Sequence, residues 1–218
     1  MFCHVCYGIS GHPPHLPPLA QKPVPQDVVD DIVEAVRLSS CGANRQRLRL
    51  VVVQSRKWWP KCSRWSSGGL PAPGTGHAQA DETPTLYVAV LQDSSASGDL
   101  STDTGIALAN MTLAAWDKEV GSCIMGAINK PALTELLGIE EPLKLACMVA
   151  FGYPTHAARV VPMTRRPGVK YYLDENRDYC VPKRSRDEIA RCCNAPVKKL
   201  DFLAYIHIFN GFLHISGK

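Results

Sequence analysis

Cys3 and Cys6, followed closely by His12 and His15, have the residue types of a structural zinc site. Zinc is held tetrahedrally by thiolate and imidazole, and a finger needs a long turn between its cysteine pair and its histidine pair. The gap here is far too short. The adjacent Cys192 and Cys193 cannot comfortably share one metal either. No G-x-G-x-x-G follows a strand, and there is no Walker loop, G-x-S-x-G elbow or H-E-x-x-H. Three small polar groupings remain: Asn44 with Gln46, Gly121-Ser122-Cys123, and the pair Lys183-Arg184. Each has an ordinary structural reading, respectively loop capping, a helix-to-strand turn and a solvated basic pair.

The elements that must position these groups follow from hydrophobic period. Residues 1–25 carry Pro at 13, 14, 17, 18, 23 and 25, and proline resists both helix and central strand, so this stretch reads as irregular. Val28, Val29, Ile32, Val33 and Val36 predict a helix from Gln26, with Asp27, Asp30, Asp31 and Glu34 toward its positive end. Strands are expected at Leu48 to Gln54 and Thr85 to Gln92, with a long loop over 57–82 between them. Asp103 to Lys118 is apolar almost all round and predicts a central buried helix. Gly121 to Met125 reads as a turn into a short strand. Pro131 to Leu137 reads as a short helix stopped by Gly138, and Leu145 to Phe151 as a strand closed by Gly152-Tyr153-Pro154. This order predicts an α+β sandwich, with a mixed sheet between helices.

Composition narrows the class further. A chain of 218 residues with 45% apolar and 20% charged residues suits one soluble domain with arms. The net charge of +4 comes from scattered Lys and Arg, which leaves no basic stripe for nucleic acid. No apolar run is long enough to span a membrane, and the N-terminus does not read as a signal peptide, so the expected compartment is the cytoplasm. The nine cysteines, most in apolar company, are expected to be buried free thiols.

Taken in order, several segments resemble the nitroreductase family. Residues 24–54, VPQDVVDDIVEAVRLSSCGANRQRLRLVVVQ, resemble its first helix, flavin loop and first strand. Asn44 and Gln46 match the family's Pro-Ser-x-x-Asn-x-Gln-Pro-like loop, while Ser40, Cys41 and Arg47 stand where Pro, Ser and Pro are usual. Residues 103–128 resemble the central helix and Gly-rich strand, and residues 133–154 resemble the segment ending in Val149-Ala150-Phe151-Gly152-Tyr153-Pro154. Val181-Pro182-Lys183-Arg184-Ser185 resembles the late basic motif before the last helix.

The resemblance implies an α-β-α sandwich with a mixed, mainly antiparallel sheet, and an irregular segment at 1–22, a domain over 23–190 and a tail at 191–218. It implies FMN as cofactor, NAD(P)H as electron donor, a nitro, quinone or related small-molecule acceptor, and a homodimer with flavin sites at its interface. Ser40, Cys41, Gly42, Asn44 and Gln46 would then meet the flavin ring, and an amide within Gly121, Ser122 and Cys123 would serve N5 or O4. Lys183 and Arg184 would meet the phosphate. No side-chain catalytic dyad is required, because the flavin itself carries the hydride.

Two stretches depart from the family. Its opening R-R-x-x-R-x-F motif binds the phosphate, and residues 11–20 here, GHPPHLPPLA, contain no Arg. Trp58 to Gly69, WWPKCSRWSSGG, replaces a mostly apolar segment. A shifted reading frame accounts for both under a chosen codon assignment. His12 to Leu19 as CAC-CCG-CCA-CAT-CTA-CCG-CCG-CTT, read from the second base, gives Thr-Arg-His-Ile-Tyr-Arg-Arg and then a codon beginning TT. The second stretch, similarly encoded, gives Val-Ala-Lys-Val-Phe-Pro-Leu-Val-Lys-Trp-Gly. The alternative function is therefore a flavin-binding relative whose catalysis is impaired by a disrupted phosphate clamp.

Overall fold

The computed structural model of the chain describes residues 19–20, 22–58, 61–62, 84–154, 157–164, 168–176 and 178–190. They fall into two compact units divided between Lys183 and Arg184.

The first unit opens with the two-residue strand β1, Leu19–Ala20, and helix α1, Gln26–Arg37. Val28, Val29 and Ile32 form the buried stripe of α1, and the period of these residues is what makes the segment a helix on a core rather than a solvated one. A single 3-10 turn, Gly42–Asn44, leads into β2, Leu48–Val53. Then come β3, Leu86–Asp93, helix α2, Ser101–Asp117, and β4, Gly121–Met125. Helix α3, Lys130–Leu137, is punctuated as expected. The Asn129 side chain accepts the Ala132 N–H at 3.1 Å, Pro131 lies in the first turn, and Gly138 ends the helix at φ 62°. Strand β5, Leu143–Pro154, follows.

All pairings of the main sheet are antiparallel. Strand β3 lies between β2 and β5, β4 pairs with the edge of β5 opposite β3, and β1 pairs with the last two residues of β5. Alternate residues of β3 face opposite layers, as the strand period requires. Leu86, Val88 and Val90 pack with Val28, Ile32, Met111, Ala115 and Phe151 under α1 and α2. Tyr87, Ala89 and Leu91 pack with Leu133, Leu145 and Met148 over α3. The sandwich read from the sequence is thus present.

Three expectations need correction. Helix α2 is buried on one face only, through Asp103, Thr104, Ala107, Met111, Thr112 and Ala115. Ile106, Leu108, Leu113 and Trp116 remain half-buried, because α1 and β4 cover one side of the helix. Second, β5 does not stop at Gly152-Tyr153-Pro154 but runs through it, since β1 and β4 supply pairing partners there. Third, Gly121 lies inside β4 rather than in the turn before it. A further sheet was not expected from the sequence. In it, β8, Tyr179–Lys183, lies between a parallel β6, Ala158–Pro162, and an antiparallel β7, Tyr172–Leu173.

The second unit contributes one described element, helix α4, Arg186–Ile189. It opens on a capping box in which the Ser185 hydroxyl accepts the Glu188 N–H and the Glu188 carboxylate accepts the Ser185 N–H. Those bonds hold the Glu188 carboxyl below its ordinary range. Cys3, Cys6, His12, His15, the stretch 11–18, most of 57–82 and the tail 191–218 lie outside the described residues.

Candidate functional site

The segment joining α1 to β2 holds five of the residues singled out from the sequence, and its backbone is the most unusual in the described chain. Ala43, Asn44 and Gln46 sit at φ 50°, 51° and 49°. Left-handed backbone suits glycine and, less well, asparagine, and costs other residues roughly 1 kcal/mol or more each. Three such residues within four positions persist only where surrounding contacts over-determine them.

Those contacts are local and distant. Within the loop, the Asn44 and Arg45 N–H groups donate to the Cys41 and Gly42 carbonyls, both at 3.2 Å. The Gln46 N–H donates to the Cys41 thiol at 3.3 Å, so the cysteine acts as a cap, and the Gln46 amide donates to the Asn44 carbonyl at 3.4 Å. From α2, the Asp103 carboxylate accepts the Gly42 N–H at 2.9 Å, and the Asn110 amide donates to the Ser39 hydroxyl at 2.8 Å. From the end of β3 and the turn after it, the carbonyls of Asp93, Ala96 and Ser97 accept from the Arg47 guanidinium. Arg47 is 7% exposed, and its Nε is buried with no partner among the described residues.

Ser40, Cys41 and Gln46 line a cavity of about 340 Å³ together with Asp103, Arg47 and apolar side chains such as Val36 and Leu50. Its size and mixed lining are those of a small-molecule site. Asn44 is exposed in the same turn. Sequence reasoning missed Asp103, Asn110 and Arg47. The available signal was Asp103 and Asn110 at a spacing that shares one helix face, with Asn110 in an otherwise apolar run.

Gly121, Ser122 and Cys123 are placed apart from that cavity's lining. They pair with Gly152, Phe151 and Ala150 of β5. A Cβ at Gly121 would stand 3.4 Å from the Gly152 carbonyl oxygen and from Pro154, so its missing side chain is used inside the sheet. Burial pushes the Cys123 thiol up to about 12. Tyr171, set edge-on to Tyr179 at 6.4 Å between ring centres, is raised by its own burial and by this thiol.

Lys183 is half-buried at the end of β8, where its carbonyl accepts the Met163 N–H at 2.9 Å. Arg184 belongs to the second unit, is exposed, and lies 3.6 Å from Glu188. Among the described residues no helix is long and apolar enough to cross a membrane.

The model of the nitroreductase family matches residues 18–153. Among solved structures, a nitroreductase-family protein from Clostridium novyi NT is similar at 20% identity and a TM-score of 0.57, covering 71% of this chain and 86% of its own. A nitroreductase-family protein from Clostridium difficile 630 matches at 16% identity and a TM-score of 0.60, over 89% and 99% of the two chains. An FMN-dependent nitroreductase from Clostridium difficile R20291 matches at 16% identity and a TM-score of 0.55, over 65% and 83%. At these identities the likeness is one of fold.

Proposed function

This chain belongs to the nitroreductase family of oxidoreductases, and on that premise we propose that it is an FMN-dependent enzyme passing reducing equivalents from NAD(P)H to a nitro, quinone or related acceptor. The observation that carries the reading is the strained loop at Cys41 to Arg47, held from two other elements beside a small-molecule cavity. When bound, FMN supplies the hydride chemistry at its N5. The chain's own task is to bind and orient it. Asn44 and Gln46 offer amide donors and acceptors to the ring's polar edge, with Ser40, Cys41 and Gly42 beside them. Arg47, whose buried Nε has no acceptor among the described residues, suits an acceptor-rich ligand. In this reading, an amide of the Gly121 to Cys123 strand serves N5 or O4, and Lys183 and Arg184 meet the phosphate as charged donors.

Purified protein is expected to take up FMN in preference to FAD, since the basic pair suits a terminal phosphate and no adenine-binding motif is present. Flavin titration followed by absorbance decides it. Tighter binding of FAD, or no binding of either flavin, rejects the cofactor. Oxidation of NADPH by flavin-loaded protein then separates an active enzyme from a flavin-binding relative.

The same reading makes the protein a cytoplasmic homodimer. Leu113 and Trp116 on α2 keep apolar surface half in water, and Ile124 on the edge strand β4 is exposed. Cys62, Cys123, Cys147 and Cys180 are free thiols, as suits a reducing compartment. Sedimentation at micromolar concentration is expected to give twice the chain mass, and a well-behaved monomer contradicts the dimer.

A further inference from the structure

We propose that Asp103 and Arg47 are positioning residues that hold the Cys41 to Arg47 loop in its left-handed form, so that Asn44 and Gln46 are presented ready-made to the flavin. The inference rests on the FMN reading above for its ligand, but the clamp itself is a property of the apo chain.

Ala43 and Gln46 have no intrinsic preference for φ near 50°, and the side chains of Asp103 and of Arg47 at the end of the loop oppose their escape. The Asp103 carboxylate, buried in the first turn of α2, takes the Gly42 N–H that opens the turn. The Arg47 guanidinium closes the turn by binding three carbonyls, that of Asp93 at the end of β3 and those of Ala96 and Ser97 after it. Both sets of bonds are charge-assisted, and the charged side chain of each is itself largely buried, which strengthens such bonds. Asp103 is 61 residues from Gly42, and the carbonyls that Arg47 binds are about 50 residues from it, so the loop is fixed by its ties to α2 and to the end of β3 and not by local bonds alone. Arg47 occupies a position where the family resemblance places proline. A proline stiffens a loop through its ring, whereas this arginine ties the loop to a neighbouring element.

The test compares the full chain with Asp103→Ala, Asp103→Asn and Arg47→Lys in two measurements. The first is hydrogen exchange of the peptide spanning the loop, without flavin. The second is FMN titration by fluorescence quenching. Asp103→Ala should expose the Gly42 amide to exchange and weaken FMN binding about tenfold. Asparagine keeps an oxygen acceptor in place and should restore both to within about threefold of the parent. Lysine keeps the charge of Arg47 but not its fork, and should weaken binding several-fold. Leu133→Ala, a truncation of the buried residue of α3, serves as the control for lost stability and should leave FMN affinity unchanged. Should Asp103→Ala fail to fold, Asp103→Asn and Arg47→Lys still carry the comparison.

Parent-like exchange in Asp103→Ala overturns the clamp, as does an asparagine variant no better than alanine. Faster exchange with unchanged FMN affinity overturns its role toward the flavin. A parent that binds no FMN rejects the cofactor reading instead, while the exchange measurement still decides the clamp.

Discussion

A chain in which His12 to Leu19 are replaced by Thr-Arg-His-Ile-Tyr-Arg-Arg-Phe is expected to bind FMN at least tenfold more tightly than the parent. A charged hydrogen bond contributes about 1.5–3 kcal/mol, which is roughly tenfold to hundredfold in affinity. The topology gives the segment somewhere to act. Leu19–Ala20 pairs with Pro154 and Tyr153, the residues of β5 that follow Gly152, the partner of Gly121, so the replaced segment ends on the strand that also carries β4. The new arginines would add exposed charge, so the gain should shrink as salt is raised and screening sets in. On the proposed reading, phosphate recognition in the parent would fall to Lys183 and Arg184 alone. Arg184→Ala should therefore cost the parent more than it costs the restored chain. Flavin titrations of the four proteins at two ionic strengths check this. Equal affinities of parent and restored chain would dispose of the frame-shift explanation for residues 11–20.

Raising the pH from 8 to 10.5 should destabilise the fold by several kcal/mol. Burial pushes the Cys62 and Cys147 thiols up to about 11, partly offset at Cys147 by Lys130, and the Cys123 thiol up to about 12, from an ordinary 9.0. All three are buried in the core or in β4. In the unfolded chain they ionise near their ordinary value, while the folded chain keeps them protonated to about 11–12. Between those limits the unfolded state sheds protons that the native state retains. The contribution is thus complete below about pH 9 and is lost as pH rises toward 11–12. One pKa unit is worth about 1.4 kcal/mol, so each thiol accounts for roughly 1–2 kcal/mol at pH 10.5. Urea unfolding under reducing conditions measures it. Cys123→Ala and Cys147→Ala should each flatten the decline, and a decline untouched by either would mean that other groups drive it.

Much of the fold was legible because its signals are local. The α1 stripe of Val28, Val29 and Ile32, the Pro131 start and Gly138 stop of α3, and the apolar runs of β2, β3 and β5 each reflect a period or a cap that a few neighbouring residues define. The β6-β8-β7 sheet was not legible. Its strands are two to five residues long, and β6 and β8 pair in parallel across an intervening segment, so no short-range pattern announces them.

The candidate site divides along the same line. By itself the sequence determined which residue types are available, Asn44, Gln46 and a Gly-rich stretch at 121–123, and in what order, because chemistry and order are properties of the chain. It also determined family membership, since the order of motifs survives where single motifs are weak. Only the tertiary structure decided that Asp103, Asn110 and Arg47 shape the loop, that Gly121 spends its missing side chain against Gly152, and that the cavity beside Gln46 is not lined by β4. Left-handed backbone at Ala43 and Gln46 is unfavourable to those residues taken alone. It exists because groups some fifty to seventy residues away in the chain supply hydrogen bonds that outweigh its cost, and such bonds form only once the helix and sheet that carry them have packed.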